Sequence, residues 1–127
     1  MSAAAGATGI HAAARVSSPS PGGGAYGVFL PGVPAGAEAA GEAVVTGLRA
    51  DGEVRSNVAL AHAGANGSGA LTLELQLFDG EAGGIPSGPA ATVRLEEASW
   101  VQLPDPLRPL GVRSGWVRIR RTAGSAP

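Results

Sequence analysis

"ALTLELQLF", residues 70–78, decides the fold class of this chain. Leu71, Leu73, Leu75 and Leu77 recur at every second position, with Thr72, Glu74, Gln76 and Phe78 between them. A period of two places the four leucines on one face of an extended strand; a helix would scatter them around its circumference. One face of this strand meets a core and the other meets water, as in an antiparallel sheet.

The same alternation spreads outward in both directions. "AVVTGL" (43–48) reads as a strand, followed by an Asp51-Gly52 turn. "VRSNVALAH" (54–62) puts Val54, Ser56, Val58 and Leu60 on one face and Arg55, Asn57, Ala59 and Ala61 on the other. "AGANGSG" (63–69) is a turn, and "DGEAGGIPSG" (79–88) a Gly-rich hairpin connection. In "PAATVRLEE" (89–97) Ala91, Val93 and Leu95 point inward and Thr92, Arg94 and Glu96 outward. "ASWVQL" (98–103) continues after a bend, and "PDPLRPLG" (104–111) is a Pro-rich crossover with a helical or 3₁₀ turn at 107–110. "GWVRIRR" (115–121) is the last strand, with Val117 and Ile119 opposite Trp116, Arg118 and Arg120. Further upstream, "AYGVFL" (25–30) is a short strand stopped by "PGVPAG", while "AEAAGEA" (37–43) reads as an exposed loop. The expected fold is all-β: an antiparallel, Ig-like β-sandwich of seven or eight short strands with a loose N-terminal segment.

Composition agrees with a single domain built on small residues. The chain has 127 residues, 44% of them hydrophobic and only 4% aromatic, so Val, Leu and Ala fill the core. A net charge of −1 provides no field for nucleic acid, and no partner of that kind is expected. Every basic residue is Arg, which excludes a Schiff-base lysine, a phosphate-loop lysine and a Ser-Lys pair. Without Cys there are no disulfides, thiolate nucleophiles or Cys-ligated metals. No segment approaches the roughly 20 apolar residues of a membrane-spanning helix, and "MSAAAGATGIHAAARV" lacks the basic and apolar regions of a signal peptide.

Taken together, "GLRADGEVRSNVALAHAG", "LTLELQLFDGEAG" and "ASWVQLPDPLRPLGVRSGWVRIRRTAG" resemble a repeated β-sandwich module of bacterial secreted and cell-surface proteins. Such modules carry an R-[ST]-N-[LV]-x-L phrase, then W-x-Q-[IL], then a G-[YW]-[AV]-x-[VI] strand. The matching positions are Arg55, Ser56, Asn57, Val58 and Leu60; Trp100, Gln102 and Leu103; and Gly115, Trp116, Val117 and Ile119. The chain departs from the pattern at the end of the first phrase, where His62 or Ala63 stands in place of the usual Asn. The resemblance implies an extracellular or cell-surface location, with an export signal upstream, and neighbouring modules or other proteins as partners. In such modules "AYGV" (25–28) normally follows the closing strand, and Ala14-Arg15-Val16 echoes Val117-Arg118-Ile119, so the resemblance implies either a fragment of a repeat array that begins with the tail of a preceding copy or a permuted module. The expected organisation is a flexible segment or tail of a preceding module over 1–24, one sandwich over 25–124, and a tail over 125–127. A module lacking its own last strand leaves an open edge. Tyr26, Val28, Phe29 and Leu30 are the candidates to fill it, within the chain or by exchange between copies in a homo-oligomer.

No acid–base constellation stands out. Glu96 and Glu97 are adjacent and point to opposite faces of a strand, and Glu74 and Glu96 read as a solvated surface. His11 and His62 are far apart, no Gly-x-Ser-x-Gly elbow is present, and a strand-end His is more often a surface residue or a local hydrogen-bond partner than a base. Catalytic residues, cofactors and metal ligands are therefore not expected. The arginines at 113, 118, 120 and 121 read as charge protecting an edge strand rather than a polyanion surface. The plainer reading of Trp100 and Trp116 is packing; a carbohydrate-binding module would need an exposed ring at one of them. The structural motif residues are Arg55, Ser56, Asn57, Trp100, Gln102 and Trp116, with Arg55 expected to pair with Glu53 or Glu74 and Asn57 to tie to backbone at a strand entrance. The leading expectation is a non-catalytic structural, adhesion or accessory module, with strand-exchange self-assembly and carbohydrate binding as alternatives.

Overall fold

The computed structural model describes residues 12–32, 41–52, 54–62 and 69–124. The chain divides into two compact units, Met1–Glu38 and Ala39–Pro127. In the first, β1 (Ala13–Pro19) and β2 (Ala25–Pro31) form an antiparallel hairpin. Its turn is closed by Gly23 N donating to the Ser20 carbonyl at 3.1 Å, and Gly23 and Gly24 supply the positive φ that a turn of this kind needs. The register sets Tyr26 opposite Ser18, Val28 opposite Val16, Phe29 opposite Arg15 and Leu30 opposite Ala14. Residues 13–19 are thus a strand paired along its length with β2.

The second unit holds β3 (Glu42–Arg49), β4 (Val58–Ala61), β5 (Leu71–Asp79), β6 (Ala91–Leu95), β7 (Trp100–Leu103) and β8 (Ser114–Ala123). Two antiparallel sheets result, a four-stranded one in the order β3-β8-β5-β6 and a two-stranded one, β4-β7. Described residues contain no α-helix; a 3₁₀ turn at Arg108–Leu110 lies in the crossover between the sheets. Glu42 and Ala43, read from the sequence as loop and strand start, both belong to β3, and residues 33–40 lie outside the described set.

The leucine stripe of β5 behaves as its period requires. Leu71 and Leu75 are buried, and Leu73 and Leu77 pack half-buried against the core. Leu75 joins Leu48, Val58, Leu60, Leu95, Leu107, Val112, Val117 and Ile119 in one cluster drawn from both sheets and the crossover. Each such side chain removed from water contributes about 1.5–3 kcal/mol, and Leu107 and Val117 are the most completely enclosed. Val54, by contrast, is 42% exposed: regular pairing in this segment starts only at Val58, so the alternation does not carry back into the core.

One sequence expectation is corrected by the strand order. β8 is a central strand, flanked by β3 and β5, so its arginines do not guard an edge. Phe78 sits on the outer face, as its period demands, yet is only 6% exposed. It is covered by Trp116 across the strand pair and by the following connection, where Pro86 forms a bridge with it.

Candidate functional site

The Arg55-Ser56-Asn57 triplet lies between the 49–54 hairpin and β4, and its side chains reach backbone. Arg49 N donates to Ser56 Oγ at 2.8 Å, holding the end of β3 to the approach of β4. Asp105 N donates to Asn57 Oδ1 at 3.1 Å, joining the entrance of β4 to the start of the crossover. Arg55 forms a backbone bridge with Ala50. Asp51 completes the corner: its carboxylate accepts from Val54 N at 2.9 Å and pairs with the Arg49 guanidinium. Asp105 adopts positive φ (43°) and is ion-paired to Arg108. A backbone conformation that is costly for a non-Gly residue is thus fixed from both sides, by Asn57 and by Arg108. Glu74, one expected partner of Arg55, instead accepts from Arg120 at 2.8 Å on the neighbouring strand; Glu53 lies outside the described residues.

The two tryptophans occupy different surfaces. Trp116 and Phe78 stack face to face on the outer side of the four-stranded sheet, with centroids 3.9 Å apart and planes 5° from parallel. The Arg118 guanidinium lies 5.5 Å from the Phe78 ring centre, within cation–π range. With the Glu74–Arg120 pair, these contacts use most of this face on cross-strand partners. Trp100 is 68% exposed, contrary to the packing role read from the sequence. It lies on the outer face of the two-stranded sheet, opposite Ala61, with Gln102 opposite Ala59. All four side chains are exposed, so the face is small, uncharged and dominated by one indole.

His62 was read as a surface residue or a local hydrogen-bond partner. It is buried, with Nε2 2.6 Å from the Gly69 carbonyl, and so joins the two ends of the 63–68 connection, whose residues are outside the described set. Its burial was not legible because Ala and Gly neighbours give no periodic signal. Among the described residues no group of three or more His, Asp and Glu side chains is placed to hold a metal ion, and no helix is long and apolar enough to cross a membrane. Comparison with known proteins finds no matching family model, no matching curated protein and no matching solved structure.

Proposed function

We propose that this chain is a non-catalytic, Ig-like β-sandwich module of a bacterial secreted or cell-surface protein, serving a structural, adhesive or accessory role. The observation that supports it most is the use made of the module-like phrase. Ser56 and Asn57 each accept a backbone N–H from a distant segment, at 2.8 and 3.1 Å, so these polar side chains serve to pin the corner of a sandwich. The carboxylates of Asp51, Glu74, Glu96 and Asp105 are likewise engaged by Arg49, Arg120, Arg94 and Arg108. Surface location is tested on intact cells of the producing organism, by protease shaving and antibody labelling of the native protein. Labelling and cleavage on unbroken cells are expected; protein found only after lysis would overturn the reading.

A further inference from the structure

The two-stranded sheet has open edges, and its hydrogen-bond phase shows which groups they present. His62 N donates to the Ser99 carbonyl at 2.8 Å, just beyond the β4–β7 ladder. With Val58 opposite Leu103 and Leu60 opposite Val101, the alternation makes these the hydrogen-bonded pairs and Ala59/Gln102 and Ala61/Trp100 the non-bonded ones. The backbone N–H and C=O of Trp100 and Gln102 therefore point away from β4, and no described strand pairs with that side of β7.

Other edges in this unit are defended. β6 carries Arg94, ion-paired at 2.8 Å to Glu96 just beyond it. β3 carries Glu42 and Arg49 and is broken by a register shift between Val45 and Leu48. The approach to β4 is crossed by the hairpin, through the Ala50–Arg55 bridge and the Ser56 bond. β7, "WVQL", has no charge and no bulge, and bears the most exposed aromatic ring among the described residues. Charges and bulges are the usual means of blocking edge pairing, and β7 lacks both.

We propose that β7 is a self-pairing edge: two copies of this chain join β7 to β7 antiparallel about a two-fold axis through Val101. The phase fits a second copy. A two-fold at Val101 sets Trp100 against Gln102 of the second copy, so the outward N–H and C=O groups exchange hydrogen bonds. Val101, half-buried on the core side, meets Val101 of the second copy in a non-bonded pair, where side chains approach most closely. An uncharged strand brings no like-charge repulsion against itself. Pro104, without an N–H, ends the ladder one step beyond Gln102. The two-stranded sheet becomes a continuous four-stranded one, β4-β7-β7-β4. So short an edge buries little, which places the dimer among weak, concentration-dependent associations.

The test uses all 127 residues. Sedimentation velocity over rising concentration is expected to show a monomer–dimer equilibrium. Gln102→Pro removes an outward N–H while sparing the β4 ladder, and is expected to weaken association at least tenfold with the circular dichroism spectrum retained. The absence of native Cys makes trapping direct. Cα atoms in a non-bonded antiparallel pair lie about 4.5 Å apart, within disulfide reach. Val101→Cys is expected to yield a covalent dimer on mild oxidation, and Thr92→Cys on the β6 edge is expected not to. A chain that stays monomeric, with both Cys variants cross-linking equally slowly, overturns the proposal. So does a dimer indifferent to Gln102→Pro, or a monomer whose Trp100 emission responds to soluble oligosaccharides, which would assign this face to sugar.

Discussion

Asn57 Oδ1 accepts the backbone N–H of Asp105 across 48 residues of sequence, linking the first residue before β4 to the crossover that leads into β8. Neither strand contains this contact, yet it fixes where both segments turn. Asn57→Ala is expected to destabilise the fold by about 0.5–1.5 kcal/mol, the range of a single net hydrogen bond. In a domain of this size that lowers the calorimetric Tm by about 4–8 °C per kcal/mol. Asn57→Asp keeps the acceptor and is expected to recover most of the loss. An unchanged Tm in the Ala variant would show that the bond carries no stability.

Gly115 opens β8 where the strand passes close to β5. A Cβ at this position would run into the Phe78 carbonyl oxygen, which is backbone and has little freedom to retreat. Gly115→Ala is expected to cost at least the 1–3 kcal/mol typical of overpacking. Chemical denaturation measures it, and Ser114→Ala, one residue earlier, serves as the mild control.

His62→Ala leaves the Gly69 carbonyl without its 2.6 Å imidazole partner and opens space at a buried position. The expected loss is about 1–3 kcal/mol, the cost of an unsatisfied buried group. Hydrogen exchange is expected to rise first at Leu71 and Thr72, where β5 leaves this connection; protection lost uniformly across the domain would place the role of His62 elsewhere.

The tryptophans separate by solvent access. With Trp116→Phe, the remaining Trp100 emission is expected at long wavelength and strongly quenched by acrylamide. With Trp100→Phe, the remaining Trp116 emission is expected to be shielded by its stack on Phe78. Equal quenching in the two variants would contradict the two placements.

The Glu74–Arg120 pair is half-exposed on the arginine side, and pairs of that kind contribute about 0–1 kcal/mol. A double-mutant cycle with Glu74→Gln and Arg120→Gln is expected to give a coupling energy inside that range, decreasing with added salt. A larger, salt-independent value would mark the outer face as more than a solvated surface.

Period two in residues 70–78 carried most of the fold, because a half-buried strand has to alternate. The same logic placed Val58, Leu60, Val117 and Ile119 in the core. It failed where burial came from elsewhere: Phe78 is enclosed on the outer face by a ring from another strand, and Val54 precedes the first regular pair. Strand order was out of reach, since alternation says which face is wet but not which strand lies alongside, and β8 was read as an edge. For the candidate site, the sequence split the Arg-Ser-Asn triplet between faces, but the partners of Ser56 and Asn57 depend on a hairpin and a crossover whose paths have no periodic signature. Trp100 was misplaced because an indole in an alternating strand reads as core whichever way it faces.

The position of β8 in its sheet bears on how the protein is made. β8, last in sequence among the described strands, lies between β3 and β5, so the four-stranded sheet is not completed by adding β8 to an edge of the strands made before it. Until residues 114–123 are free of the ribosome, β3 and β5 each lack a neighbour on the side that β8 will occupy. The sheet is therefore expected to form after synthesis of β8 rather than progressively, with the slow kinetics of long-range pairing. During that interval the leucine face of β5 is the surface most in need of protection.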